Sequence, residues 1–184
     1  LEPGEYLIRA QMIGLLLGGI LWGIMGDKRG LLSVLFGSIL LYSLANIANG
    51  LVTTVDQYAV LRFIAGIGLA GELGAGITSV SESLPTKLRG YGTTLVATVG
   101  LMGAVFANYI AKTFDWQMSY FIGGGLGLVL LVTRISVFES GIFLEVKEQN
   151  IQRGNFFQLF TNWERFKKFV GCILIGLPIW FVIG

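Results

Sequence analysis

The stretch Gly23-Ile24-Met25-Gly26-Asp27-Lys28-Arg29-Gly30-Leu31 (GIMGDKRGL, residues 23–31) decides how this chain folds. An uncharged apolar run ends at Gly26. Three charges follow at once, and a second apolar run starts at Leu31. A tight charged joint between two apolar runs places water at the joint and something other than water on either side. Residues 27–30 are therefore expected to form an exposed turn, with Gly30 supplying backbone angles that a sharp reversal demands.

The rest of the chain repeats the pattern. Hydrophobic residues make up 54% of the 184 and charged residues 13%, against about 25% charged in ordinary soluble domains. Mean hydropathy is +0.74. A helix needs roughly 20 mainly apolar residues to cross a bilayer core. Runs of that length fall at about 7–26, 31–52, 58–80, 92–111 and 118–138, and another begins near 169. So many spanning runs cannot be buried in so short a soluble chain, so the fold class is an all-α integral membrane protein in contact with the lipid bilayer.

Charge sets the orientation. Basic residues gather in alternate loops: Lys28 and Arg29, then Lys87 and Arg89, then Lys147, Arg153, Arg165, Lys167 and Lys168, with Arg134 just before that last segment. The opposite loops carry Lys112 with Asp56 and Asp115, and Arg9 beside Glu2 and Glu5. The basic side is expected to be cytoplasmic. The net charge of +2 gives no reason to expect nucleic-acid binding. The absence of histidine removes imidazole catalysis and histidine proton relays. The lone Cys172 excludes a disulfide framework and a cysteine-built zinc site. No signal peptide is legible in the acidic, polar first residues. The chain starts without Met and ends inside an apolar run, so it reads as a piece of a longer protein. Its expected parts are a transmembrane bundle at 1–138, a linker at 139–168 on the cytoplasmic side, and the start of a second bundle at 169–184. Phe156, Phe157, Phe160 and Trp163 in the linker suit either a headgroup layer or a packed helix.

Glycine is heavily used, 27 residues in all. Gly14/Gly18 and Gly19/Gly23 are four-residue steps, and Gly66, Ala70 and Gly74 repeat the spacing. Gly100/Ala104 and Gly123/Gly127 do the same. Small residues at this spacing let helices approach closely in lipid. Asn46, Asn49, Thr98 and Asn108 are polar residues within spans and read as helix–helix contacts.

The joint resembles the loop signature of the major facilitator superfamily, which lies between that family's second and third helices. Leu31 and Leu32 stand where the family carries further basic residues. RFIAGIGLAGE (62–72) resembles the family's fourth helix, and SESLPTKLRG (81–90) the following loop. RISVFESGIFL (134–144) resembles the end of the sixth helix, with Gly141 where sugar porters have proline. The combined pattern is most similar to the metabolite–proton symporters of organic acids, amino acids and betaine-type osmolytes. The resemblance implies the second to sixth helices, the start of the seventh, and a partner in the remainder of the transporter. It also implies a plasma-membrane protein that is no enzyme and takes its energy from a proton gradient without a cofactor. VGLMGAVFANY (99–109) lacks the Gly-Pro step of the exporters, which favours symport. A sugar porter, a drug exporter, or a membrane receptor or enzyme are the alternatives, although an intramembrane hydrolase would want a His, Cys or paired Asp within the spans.

Candidate site residues follow. Glu72 lies about 20 Å along its helix from Tyr58. An ionised carboxylate at such depth needs a partner, water or a proton, so Glu72 reads as a proton or substrate site, or else as a structural pair. Arg62 is about 15 Å from Glu72 along the same helix, too far to pair with it. It is expected to attract an anionic solute, hold an inter-helix bond or reach the interface. Asp27, Lys28, Arg29, Glu82, Arg89, Arg134 and Glu139 fall at cytoplasmic ends. The resemblance implies a charge-paired gate there; as isolated surface charges they are worth under about 1 kcal/mol per pair.

Overall fold

The computed structural model describes residues 3–134, 154 and 156–183. Every regular element among them is an α-helix: α1 (Pro3–Arg29), α2 (Leu31–Asn49), α3 (Val55–Ser83), α4 (Arg89–Thr113), α5 (Trp116–Thr133), α6 (Gln158–Thr161) and α7 (Trp163–Ile183). The first five are long and apolar enough to cross a membrane, as the apolar runs require.

The charged joint is tighter than the sequence suggests. Asp27, Lys28 and Arg29 do not form a turn; they complete the last turn of α1. The reversal is Gly30 alone, at φ 95°, before α2 starts at Leu31. Its N–H still reaches Gly26 O at 2.9 Å. Two cations on the final helical turn suit the partial negative charge of a helix C-terminus, which extends α1 through residues that would otherwise read as loop. At the other end of α2, the connection to α3 is capped by Thr54, whose side chain accepts from the Gln57 N–H at 3.4 Å. The last helix begins at Trp163, six residues before the apolar run, because Asn162 Oδ1 accepts from the Glu164 N–H at 3.0 Å and starts the helix there.

Glycines set how the helices meet. α1 and α3 run parallel. A Cβ on Gly18 would lie 2.6 Å from Ile67 O, and one on Gly14 or Gly66 would strike the carbonyl of Phe63 or Gln11. Ala70 Cβ, also on α3, lies 3.1 Å from the same position at Gly18. The neighbouring step Gly19/Gly23 has nothing within 4 Å, and neither do Gly74, Gly100 and Gly123. α5 meets α2 through Gly124 and Gly127 in place of the expected Gly123/Gly127: a Cβ on Gly124 would lie 2.8 Å from Ser43 O, and Gly127 abuts the Ser43 hydroxyl. α2 lies antiparallel between α3 and α5.

The core sits where α1, α2 and α3 converge. Trp22, Val34, Leu35 and Ala75 are buried there, with Met25, Leu31, Leu32, Leu41 and Ala70 packed around them. Trp22 Nε1 donates to Ile67 O at 2.7 Å, and Gly37 and Gly71 leave the room its indole occupies. α4 contributes no buried residue. Of the polar span residues, Asn46 and Asn49 are buried on α2, whereas Thr98 and Asn108 are exposed on α4.

Candidate functional site

α3 and α5 flank α2 and run in the same direction. Tyr58 meets Tyr120 and Glu72 meets Arg134, and both pairs are separated by the same 62 residues in sequence. Parallel helices in step give this register, and it creates one polar contact near the start of each helix and another well along it.

The first contact is built around Arg62, half-buried about 10 Å from the start of α3. Its Nη1 donates to Gln11 Oε1 of α1 at 3.0 Å. Its Nη2 donates to Tyr58 OH at 3.2 Å and to Tyr120 OH. The guanidinium also stands over both rings, 5.3 Å from the centre of Tyr58 and 5.0 Å from that of Tyr120, a favourable arrangement for a cation on aromatic faces. Trp116 closes the cluster, 6.0 Å from Tyr58 and 6.4 Å from Tyr120. The hydrogen-bond partners of Arg62, Gln11, Tyr58 and Tyr120, are all neutral, so the cluster holds a positive charge that no carboxylate among the described residues offsets. Tyr120 also borders an open, largely apolar hollow of about 280 Å³ between α4 and α5, lined by Phe106, Ile110, Ser119, Gly123 and Leu126 among others.

The second contact is an ion pair. Arg134 Nη2 lies 3.6 Å from Glu72 Oε1, with both side chains about a quarter exposed. Arg134 caps the C-terminus of α5, a favourable place for a cation. Glu72 therefore has a basic partner from another helix, although none lies within a turn of it on α3. The sequence assigns Arg134 to a gate and Glu72 to a proton or substrate site; the structure puts them in one pair.

Among the described residues, Asp27, Lys28, Arg29 and Arg89 form no ion pair with one another. Asp27 accepts a hydrogen bond from the Gly154 backbone N–H. Lys28 packs its stem against Gly154. Arg29 is exposed, and its carbonyl accepts from Ser33 Oγ at 3.1 Å. Arg89 Nε donates to Leu84 O at 3.1 Å and so closes the turn between α3 and α4. Glu82 sits in the last turn of α3. Glu139 lies outside the described residues. The linker aromatics contact one another: Phe156 and Phe160 are 5.5 Å apart, and Trp163 stacks on Phe166 at 5.6 Å.

Sequence reasoning did not pick out Gln11, Tyr58, Trp116 and Tyr120. Tyr58 and Arg62 are four residues apart on one helix and therefore neighbours, a signal that was available. The other contacts depend on which helices are adjacent.

Residues 6–184 match the model of the Major Facilitator Superfamily. The niacin transporter NiaP of Acinetobacter baylyi is 31% identical over 130 residues, 67% of this chain and 30% of that protein. The sialic acid transporter NanX of Escherichia coli is 31% identical over 76% of this chain and 37% of its own length. The 4-hydroxybenzoate transporter PcaK of Pseudomonas putida is 30% identical over 80% of this chain and 34% of its own. The chain thus spans roughly a third of the length of these relatives. Among solved structures, the inward-open xylose transporter XylE of E. coli superposes with a TM-score of 0.64 at 19% identity, covering 94% of this chain and 45% of that one. Spanning helices, close glycine contacts and a family match over nearly all the residues agree: this chain is a multi-pass membrane segment that belongs to the major facilitator superfamily.

Proposed function

We propose that the protein moves a small organic acid across the plasma membrane by proton-coupled symport, with the binding site alternately open to either side. The observation that carries this reading is Arg62, a half-buried guanidinium held by Gln11, Tyr58 and Tyr120, with no counter-charge among the described residues. Removing a charge from water is costly unless it is paired. An anionic solute supplies the missing partner, and the rings of Tyr58 and Tyr120 at Arg62, with Trp116 beside them, suit a flat, apolar body attached to the carboxylate. Niacin, 4-hydroxybenzoate and sialic acid, named for relatives of this chain, are all carboxylic acids. Glu72 is the proposed proton carrier, since among the residues in the spans it is a carboxylate that can exchange a proton for its Arg134 partner.

The test uses the full-length transporter in vesicles with an imposed proton gradient and radiolabelled niacin, benzoate, 4-hydroxybenzoate and sialic acid as probes. Arg62→Gln should lower uptake of the accepted probe at least tenfold at unchanged protein level. Glu72→Gln keeps the shape of the side chain but cannot ionise. It should abolish accumulation against a gradient while leaving counterflow exchange. Uphill accumulation by Glu72→Gln equal to the parent would remove Glu72 from the coupling role, and failure of exchange as well would make it a solute contact.

A further inference from the structure

Asp27 stands at the wrong end of its helix. The C-terminal turn of α1 carries partial negative charge, which favours Lys28 and Arg29 and disfavours a carboxylate. Something must compensate the acid there, and the described residues offer it no cation. Its partner is a backbone donor, the N–H of Gly154, from the segment between α5 and α6.

Gly154 fits this place for independent reasons. Its φ is +64°, a left-handed conformation that residues with a Cβ rarely adopt. A Cβ would also lie 2.8 Å from both Cγ and Cε of Lys28 and 2.9 Å from Ile24 O. Gly154 approaches α1 so closely that a side chain there would strike the backbone of Ile24. The hydrogen bond, the left-handed backbone and the close approach all point to the same contact.

We propose that Asp27 and Gly154 form a clasp that pins the segment between α5 and α7 to the end of α1, so that movement of that end is passed to α7. Asp27 serves in it as a hydrogen-bond acceptor for a backbone N–H, with its charge secondary. This function is separate from solute binding at Arg62 and proton transfer at Glu72, and it stands whether or not those hold.

The Arg153–Gly154 bond offers a direct readout, because trypsin cuts after arginine and the nitrogen of that bond is the donor in the clasp. Limited trypsinolysis of the purified full-length transporter would compare cleavage after Arg153 with cleavage after Lys87, a control in the loop between α3 and α4. Asp27→Ala and Gly154→Ala should each speed cleavage after Arg153 at least fivefold and leave cleavage after Lys87 unchanged. Asp27→Asn keeps an acceptor oxygen and should stay within twofold of the parent. Equal rates for Asp27→Ala and the parent would overturn the clasp, even if Gly154→Ala failed to fold. An Asp27→Asn rate as high as that of Asp27→Ala would overturn the acceptor role in favour of a purely charge-based contact.

Discussion

Trp22 shows how one residue fixes three helices. Its indole N–H donates to Ile67 O of α3 at 2.7 Å, and its ring occupies space left by Gly37 of α2 and Gly71 of α3. A buried N–H without an acceptor is costly, so the bond fixes where the ring can lie as well as adding stability. Trp22→Phe retains most of the buried ring and loses the bond. It should lower the stability of the full-length protein by about 1 kcal/mol. Trp22→Ala should lower it by about 3–5 kcal/mol by leaving a cavity. Trp163, two-thirds exposed on α7, is the comparison, and its replacement by Ala should change stability by less than about 0.5 kcal/mol. Thermal unfolding in detergent micelles measures all three. A Trp22→Phe midpoint equal to that of the parent would show that the bond contributes nothing. The position of Trp22 in an apolar run was plain from the sequence, but its acceptor on α3 was not.

Individual helices were legible where composition alone decides them, and their contacts were not. The apolar runs locate α1 to α5 because a bilayer core fixes the length a span must have. Boundaries were missed where a local device overrides the apolar pattern: the cations that prolong α1 to Arg29, and the Asn162 cap that starts α7 early. The glycine steps are the sharper case. Gly14/Gly18 and Gly19/Gly23 are indistinguishable as sequence, yet the first pair lies on α3 and the second has nothing within 4 Å. A helix has one face toward its neighbour, and no spacing rule says which face that is. Gly18→Leu should therefore force α1 away from α3 and reduce folded protein severely, since overpacking against backbone costs about 1–3 kcal/mol or more. Gly19→Leu, one residue on, should be accepted at near-parental level. Fluorescence-detected size-exclusion of the two full-length variants checks this, and equal losses for both would mean that the α1–α3 contact is not specific to one face. The candidate site divides the same way. Arg62 and Glu72 stand out in the sequence as charges in apolar surroundings, whereas Tyr120 and Arg134 became their partners only through the register of α3 and α5.

At the scale of the whole molecule, the bundle has a basic end and an opposite end. Helices α1, α3 and α5 run toward the end that carries Lys28, Arg29, Lys87 and Arg89, while α2 and α4 run away from it. The same end carries the clasp between Asp27 and Gly154 and the Arg89 bond to Leu84 O. Cations are retained on the cytoplasmic side when short loops insert into a membrane. The loop between α2 and α3, with Thr53 and Thr54 exposed and Asp56 beside them, is therefore expected on the external side. Single cysteines at Lys87 and Thr54, each exposed, in an otherwise cysteine-free full-length protein, report the two ends separately. An impermeant thiol reagent applied to intact cells should label the residue at position 54 and spare the one at 87 until the cells are opened. The reverse pattern would invert the molecule. It would place the clasp and the linker outside the cell, and it would put the Arg62 cluster nearer the cytoplasm than the Glu72–Arg134 pair, so that an incoming acid met the proton carrier before the cation that draws it.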